Sequence, residues 1–311
     1  MSLSNPWFAL ALVGVLLLFH IELFATLLNL ARFSRPLPDR LKAIYDKDKL
    51  ANTAEYAGAS ARVDVIRDAF FLATLLAVWW LAIYFASKNP ALSQFTAFGP
   101  APAFKAIPHM WESGLISKAL QSSGYRLGMG LLIAILIGVP IGIVMGRNRR
   151  FRELSNSPFQ LMRMISPLSW EPIAVIVFAG WNSAIIFLIA IAAVWPIMFS
   201  TAAGLSKVDP AWFKVARNLG AKPWQMVTEI IIPAIMFDVM TGIRLAVGVA
   251  WIVLVPAEFL GVTSGFGYTI EDARESLEYE HLMAMLIVIG IVGYVLDLGC
   301  QALIRRYSWH K

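Results

Sequence analysis

Long apolar stretches dominate this sequence and restrict what it can fold into. Each is about 20 residues long or more, the length that an α-helix needs to cross roughly 30 Å of hydrocarbon. Their ranges are roughly 7–30, 68–87, 122–146, 159–181, 183–203, 234–261 and 281–304. Because lipid offers the backbone no hydrogen-bond partners, each stretch is expected to be helical. The sequence therefore predicts an all-α integral membrane protein with about seven transmembrane helices.

Composition supports this class and excludes others. Only 15% of the 311 residues are charged, whereas about a quarter are charged in a typical soluble protein. Residues 1–6 carry no Lys or Arg, and the run 7–30 is longer than the apolar core of a signal peptide, so we expect a retained transmembrane helix. The single cysteine, Cys300, and four scattered histidines predict neither an internal disulfide nor a metal site.

The distribution of basic residues predicts the topology. One set of alternating loops holds 19 of the 26 Lys and Arg residues, and the other set holds 4. The basic set comprises segments 31–67, 147–158, 204–233 and 305–311. By the positive-inside rule these loops are cytoplasmic, so the N-terminus lies outside and the C-terminus inside. The net charge of +6 is thus a topology signal, and we expect no nucleic-acid partner.

Segment 207–233, KVDPAWFKVARNLGAKPWQMVTEIIIP, predicts two short helices separated by a break. Asp209 can cap the first helix, which has a proline in its first turn. Gly220 can end that helix in a left-handed conformation. Pro223 then begins the second helix, and Pro233 marks the entry into the next span. Such a segment suits a groove on a partner protein, and an ordinary amphipathic loop fits the bare pattern equally well.

The same segment resembles the cytoplasmic EAA loop of ABC importer permeases. That loop reads Glu-Ala-Ala, three residues, Gly, nine residues, then Ile-x-Leu-Pro. Here Ala216 and Gly220 keep the first spacing, Ile230-Ile231-Ile232-Pro233 keeps the second, and Lys214 and Val215 replace the Glu and the first Ala. The resemblance implies that about 209–229 docks on an ATPase subunit. The coupling residues that it implies are Lys214, Val215, Ala216, Leu219, Gly220, Ala221 and Pro233.

Further stretches resemble the permeases of the nitrate, sulfonate, taurine and bicarbonate branch. They are GVPIGIVMG at 138–146, PLSWEP at 167–172, TGIRLA at 241–246 and AEFLG at 257–261. The resemblance covers about 122–304, with a weaker match at 68–87. It implies a six-helix type I importer permease core within residues 68–311. Residues 1–67 then add one N-terminal transmembrane helix and a basic cytoplasmic loop.

The resemblance also implies an activity and partners. Permeases of this family work as dimers, here most simply a homodimer, with two ABC ATPases that bind ATP and Mg²⁺ and with a periplasmic or lipoprotein solute-binding protein. The implied activity is import of a small solute, such as the oxyanions nitrate, sulfonate (taurine) or bicarbonate, across the bacterial inner membrane by alternating access. The chain has no P-loop motif, so we expect it to bind no nucleotide or other cofactor and to contain no catalytic residue.

Two other classes of function stay open on the residues alone. An ion-coupled secondary transporter without an ATPase would account for the charges within the spans, but it would leave the EAA spacing to coincidence. An intramembrane enzyme would need a convergent set of catalytic side chains. No His-Glu-x-x-His or Gly-x-Ser-x-Gly motif is present in the sequence.

The sixth predicted span carries charges that need partners. Arg244, Trp251 and Glu258 recur every seven residues and therefore share one helical face. Arg244 and Glu258 lie about 21 Å apart along the helix, too far to pair with each other. Each either lines a translocation pathway or pairs with another helix. Roughly the opposite face carries small residues that allow close helix packing: Gly242, Ala246, Ala250 and Ala257.

The fourth predicted span holds Glu171 between Pro167 and Pro172. Two prolines should interrupt this helix, and interrupted helices at bilayer depth often line substrate sites. Glu171 and its neighbour Trp170 are therefore candidates for the translocation pathway, and structural pairing is the alternative for Glu171. A carboxylate at this position repels an anionic solute unless the carboxylate is paired.

The remaining charged residues of the spans receive structural interpretations. Arg126 and Arg163 lie near span ends, and we expect their side chains to extend to the membrane interface. Asp297, in the last span, is expected to be structural. The acidic end of segment 262–280, which includes Glu271, Asp272 and Glu275, is a candidate contact for the solute-binding protein.

Overall fold

The computed structural model describes residues 70–71, 73–259 and 261–307. This part of the chain is helical and contains no strand, which confirms the all-α prediction. The chain divides into two compact units, Met1–Pro102 and Ala103–Lys311. The predicted helix 7–30 and the segment 1–67 lie outside the described residues, so the predicted boundary at residue 67 stays a prediction.

In the first unit, the described residues form helix α1, Ala73–Ser87, and a 3₁₀ helix, Pro90–Phe98. The indole Nε1 of Trp79 donates a hydrogen bond of 2.9 Å to the carbonyl of Phe98 and so joins the two elements. The described stretch Ala73–Ser87 is shorter than the roughly 20 residues that a perpendicular span requires, and residues 70–71 before it are helical as well.

The second unit contains the long helices. Its helices are α2 (Pro100–Glu112), α3 (Leu115–Arg147), α4 (Arg149–Met164), α5 (Glu171–Val177), α6 (Trp181–Ser206), α7 (Pro210–Asn218), α8 (Pro223–Ala257), α9 (Phe266–Glu275) and α10 (Tyr279–Tyr307). The first three residues of α2 lie before the unit boundary. Among the described residues, four helices are long and apolar enough to cross a membrane: α3, α6, α8 and α10. They correspond to the predicted spans 122–146, 183–203, 234–261 and 281–304.

The predicted span 159–181 is wrong as a single helix. Helix α4 ends at Met164, a 3₁₀ turn covers Pro167–Trp170, and α5 is only Glu171–Val177. The interruption expected from the prolines is present. Pro172 lies in the first turn of α5, where a missing N–H costs no helical hydrogen bond. The predicted total of seven spanning helices is therefore not confirmed.

Helix α6 lies between α3 and α8 and contacts both along most of its length. The contact with α3 depends on small residues that recur every four positions: Gly130, Ala134, Gly138, Gly142 and Gly146. A Cβ atom on Gly142 would lie 2.6 Å from the carbonyl oxygen of Met198 and 2.7 Å from Cβ of Thr201. The two backbones are therefore in direct contact, as small residues permit in membrane helices.

The small-residue face predicted for α8 is confirmed. Ala246 and Ala250 are completely buried, and Ala257 is nearly so. A Cβ atom on Gly242 would lie 2.7 Å from Cβ of Ser200 on α6. Helix α8 therefore packs on α6 through this face, which leaves its charged face to other contacts.

Candidate functional site

The first part of segment 207–233, up to the start of α8 at Pro223, has the local geometry that its sequence predicts. The Asp209 carboxylate accepts a hydrogen bond of 2.8 Å from the backbone N–H of Ala211 and so caps α7. Gly220 ends the helix with φ of 78°, a left-handed conformation that residues with a Cβ rarely adopt. The backbone N–H of Lys222 donates to the side chain of Gln225 at 2.9 Å, which fixes the start of α8.

The predicted second short helix is not separate from the membrane span. Helix α8 begins at Pro223 and continues without a break to Ala257. It contains a π-helical turn at Met226–Ile231, directly before Pro233. Because Pro233 has no N–H to donate to the preceding turn, the wider π turn lets the helix continue past it. Pro233 therefore marks an irregularity inside α8 and not the start of the span.

One side of α7 is anchored to the helix bundle. Ala216 is 7% exposed and packs in an apolar cluster with Leu205 of α6 and Ile231 of α8. The Lys207 ammonium lies 2.6 Å from the Asp238 carboxylate. Ala216 therefore holds α7 against both neighbouring helices, and the ion pair joins the end of α6 to α8.

The opposite side of α7, together with the turn that leads into α8, is exposed and apolar. Four large side chains are between 57% and 83% exposed: Trp212, Val215, Leu219 and Trp224. Three exposed cations lie among them, Lys214, Arg217 and Lys222, and residues 210–228 contain no Asp or Glu. We call these seven residues the docking face. Its chemistry matches a partner groove that has an apolar floor and an acidic rim.

A buried ion pair lies at the other end of the same helices. Glu258 is the residue directly after α8. Its carboxylate lies 2.5 Å from the guanidinium of Arg126 on α3, and the two side chains are 0% and 3% exposed. Arg126 also donates to Asn182 at the start of α6 and to the carbonyl oxygen of Ser264, at 2.8 and 2.7 Å. One guanidinium thus joins three helices and the chain segment before α9.

The Glu258 carboxylate accepts further hydrogen bonds besides the ion pair. The Ser123 hydroxyl of α3 lies 2.8 Å from both carboxylate oxygens. The backbone N–H of Gly267, in the first turn of α9, donates to Glu258 at 3.1 Å, and the N–H of Phe266 donates to Ser123 at 2.9 Å. We call Ser123, Arg126 and Glu258 the buried cluster; Asn182 and Ser264 contact it from its more exposed side.

Glycines make room for this carboxylate. Gly265 has φ of 125°, and a Cβ atom on it would lie 2.5 Å from the Glu258 carboxyl carbon. A Cβ atom on Gly267 would lie 2.2 Å from the carbonyl oxygen of Val255. The first turn of α9 therefore sits directly on the end of α8, and a larger residue at either position would separate them.

The buried cluster corrects the interpretation of Arg126. The sequence predicts that Arg126 extends to the membrane interface, whereas the structure buries it against Glu258. Two roles are predicted for Glu258, lining a translocation pathway or pairing with another helix. In this conformation the side chain is buried and paired with Arg126, as in the second role. Trp251 is half-buried and packs edge-on against Phe266, with ring centroids 5.7 Å apart. The nearly equal depths of Arg126 and Glu258 in their predicted spans were the available signal for this pair.

Arg244, the other charge of α8, has a different partner. Its Nε and Nη2 atoms donate to the two carboxylate oxygens of Asp297 on α10, at 2.6 and 2.9 Å. Gln301 donates to the same carboxylate at 2.8 Å. The Arg244 and Asp297 side chains are 39% and 42% exposed. This bidentate pair is therefore open on one side, in contrast to the buried cluster.

The two predicted pathway residues near α5 are not joined to these charges. Trp170 is half-buried and packs against the core between α3, α6 and α8. Glu171 is half-buried at the start of α5 and makes no hydrogen bond or ion pair with any other described side chain. Arg163 lies in the last turn of α4, and its Cζ atom is 5.6 Å from the centroid of the Phe199 ring.

Comparison with known proteins identifies the relatives of this arrangement. Residues 138–308 match the family described as the binding-protein-dependent transport system inner membrane component. The chain is 32% identical to the taurine transport system permease protein TauC of Escherichia coli K12 over 249 residues, which are 77% of this chain and 88% of TauC. It is 31% identical to the nitrate import permease protein NrtB of Synechocystis over 237 residues, 75% of this chain and 86% of NrtB.

The bicarbonate transport system permease protein CmpB of Synechococcus elongatus is similar as well. It is 36% identical over 188 residues, which are 60% of this chain and 67% of CmpB. Among solved structures, a chain of the inward-facing MetNI methionine ABC transporter superposes with a TM-score of 0.54 at 15% identity. The match covers 65% of this chain and 98% of that chain, so the shared feature is the fold.

Proposed function

Because the chain belongs to the binding-protein-dependent transport system inner membrane component family and is an ABC importer permease, we propose that it couples to its ATPase through segment 207–233. The docking face carries this proposal. It combines the EAA spacing with four exposed apolar side chains, two on α7, one at its end and one at the start of α8, while α7 packs on the helix bundle from the other side. ATP and Mg²⁺ bind on the separate ATPase chain, and this chain is a transport component without catalytic residues.

The orientation and the oligomer are part of the same proposal. The docking face and the basic loops lie on the cytoplasmic side of the inner membrane, the N-terminus and the buried cluster lie at the outer side, and the C-terminus is cytoplasmic. Two copies of the chain form the permease. A periplasmic or lipoprotein binding protein delivers the solute to the outer surface, where α9 carries the acidic residues Asp272 and Glu275.

Substitution of Gly220 tests the docking face with a matched control. Gly220→Asp places a carboxylate next to Leu219, opposite the acidic rim expected on the partner, and should lower co-purification of the ATPase at least about tenfold. Gly220→Asn has the same size and the same tolerance of a left-handed conformation, so it should retain the ATPase. Both variants are compared by quantifying the ATPase that a tagged chain retains in mild detergent. Equal retention by the two variants would show that Gly220 does not face the ATPase.

The open ion pair supports a place for Arg244 in the translocation pathway. A charge at bilayer depth is costly against lipid and normally faces protein or a water-filled cavity. The Arg244–Asp297 pair is about 40% exposed in the single chain, so a second copy or the pathway between copies covers it. We place Trp170 and Glu171 on the same pathway, where the Glu171 carboxylate, unpaired with any described side chain of the single chain, must gain a cationic partner before an oxyanion can pass it. Trp251 and Glu258 instead belong to the packed outer end in this conformation.

Thiol labelling tests the pathway assignment of α8. Gly248 lies one turn beyond Arg244, with open space around it, and Cys300 is the only cysteine of the chain. In a Cys300→Ser background, Gly248→Cys should react readily with a membrane-impermeant cationic thiol reagent, because water permits the reactive thiolate. Leu136 is 64% exposed on the apolar outer surface of α3, and Leu136→Cys should stay unreactive. A Gly248→Cys thiol as inert as the Leu136→Cys thiol would remove α8 from the pathway.

The relatives named for taurine, nitrate and bicarbonate transport support a small oxyanion as the solute. The test begins with a pull-down of the tagged chain from mild detergent and identification of the proteins that accompany it. A stoichiometric ABC ATPase is expected, and the associated binding protein then supplies the solute for uptake assays in vesicles. Recovery of the chain alone, repeated after crosslinking in the native membrane, would instead favour an ion-coupled secondary transporter.

A further inference from the structure

We infer that the Arg126–Glu258 ion pair is a positioning element of the transport cycle, which fixes α9 on the end of α8 so that the two helices move together. This inference rests on the proposed function, because it concerns how the outer surface follows the ATPase. The Arg126 and Glu258 side chains are 3% and 0% exposed in this conformation. Both act through the position of α9.

The first observation is the continuity of α8. This helix begins within the segment that docks on the ATPase and runs for 35 residues to Ala257, directly before Glu258. Displacement of its cytoplasmic end therefore reaches Glu258 without passing through a loop. Whether the movement continues from Glu258 into α9 depends on how firmly α9 is attached to α8.

The second observation is the form of that attachment. Between Glu258 and Phe266 the chain passes two glycines with positive φ, Gly261 and Gly265, and glycines leave a backbone more freedom than other residues do. The Glu258 carboxylate bypasses this connection, because it bonds directly to the N–H of Gly267 in α9. Through Ser123 it is also linked to the N–H of Phe266.

The third observation concerns energetics. A buried ion pair contributes little net stability compared with apolar residues of similar volume, because both charges lose their hydration. Its hydrogen bonds are directional, however, and here they define the relative positions of α3, α6, α8 and α9. Apolar packing alone would keep these helices together without fixing their positions as closely.

The attachment of α9 to α8 matters for function because α9 carries the proposed contact with the solute-binding protein. Asp272 and Glu275 are exposed on α9, on the side proposed to meet the solute-binding protein. If α9 is fixed to α8, docking of the binding protein and docking of the ATPase act on one rigid unit. Stimulation of ATP hydrolysis by the binding protein should then depend on the ion pair.

A double variant separates positioning from stability. Arg126→Met with Glu258→Leu removes both charges and keeps an apolar filling, so the permease should still assemble with its ATPase. We expect basal ATP hydrolysis in nanodiscs to be retained, while stimulation by the solute-loaded binding protein falls at least about fivefold. Arg126→Lys keeps the charge and should retain most of the stimulation. The matched control is Arg149→Met with Glu153→Leu, which removes an exposed ion pair of α4.

Normal stimulation in an assembled Arg126→Met/Glu258→Leu permease would overturn the inference. A distance measurement in otherwise wild-type protein tests it even if that variant fails to assemble. Spin labels at Asp272→Cys on α9 and Ile252→Cys on α8, carried by one copy of the dimer in a Cys300→Ser background, should keep their separation within about 2 Å between nucleotide-free and ATP-trapped states. A larger change would show that α9 moves independently. Lack of any stimulation in the wild-type complex would instead overturn the proposed function.

Discussion

Replacing Arg126 with leucine is expected to destabilise the folded permease by about 3–5 kcal/mol, because the variant leaves a buried carboxylate without its cation. Glu258 is 0% exposed, so water cannot replace the lost partner. Ser123 and the N–H of Gly267 would still donate to the carboxylate, but neither supplies a compensating charge. The loss is measured as a lower unfolding temperature in detergent, with size-exclusion chromatography used to monitor the fraction of folded protein after heating.

The exposed pair of α4 provides the control for this substitution. Arg149 forms an ion pair of 2.7 Å with Glu153, one turn away, and its side chain is 83% exposed. Such pairs contribute little to stability, so Arg149→Leu should leave the unfolding temperature nearly unchanged. The combination of Arg126→Leu with Glu258→Leu should recover most of the lost stability, because it removes the unpaired charge. Equal, small effects of Arg126→Leu and Arg149→Leu would contradict the buried-pair interpretation.

Gly142→Leu is expected to prevent correct packing of α3 on α6. The Cβ atom of the new side chain would already lie 2.6 Å from the Met198 carbonyl oxygen, closer than Cβ atoms approach other heavy atoms in real structures. The helices must therefore separate, and the packing that drives helix association in lipid is lost along the interface. We expect a loss of several kcal/mol, above the roughly 1–3 kcal/mol typical of overpacked cores, and little recoverable folded protein.

Gly128 on the same helix serves as the matched position. A Cβ atom there meets nothing within 4 Å, so Gly128→Leu adds the same side chain to the same helix without a clash. Leucine also has a higher helix propensity than glycine, and yield and unfolding temperature should be at least those of the wild type. Comparable yields of Gly142→Leu and Gly128→Leu would show that α3 and α6 are not in backbone contact.

Local features of this fold could be predicted from the sequence because neighbouring residues determine them. The cap at Asp209, the left-handed turn at Gly220 and the small-residue face of α8 all follow from spacing within one helix. The extent of α8 could not be predicted in this way. Pro233 normally signals a boundary, and the π turn before it packs, through Met226 and Ile231, in a cluster with Leu205 of α6 and Ala216 of α7 that lies outside the local sequence pattern.

Pairings between helices were harder to predict for a related reason. Arg126 and Glu258 are 132 positions apart, and no local pattern specifies which helices become neighbours. Depth gives partial information, since Arg126 lies close to the outer edge of its predicted span and Glu258 lies close to the outer edge of its own. Opposite charges at equal depth are natural partners in lipid. The partner of Arg244 follows the same rule less closely, because Asp297 lies somewhat nearer the cytoplasmic edge.

The length of α8 has a mechanical consequence for ATP-driven movement. Its 35 residues extend over about 52 Å at 1.5 Å per residue, while the hydrocarbon layer is only about 30 Å thick. If the outer end is held in place, a tilt of about ten degrees displaces the cytoplasmic end by about 9 Å. A wide stroke of the ATPase dimer can therefore be accommodated by a shallow tilt within the lipid, which leaves the depth of the charged side chains in the bilayer almost unchanged.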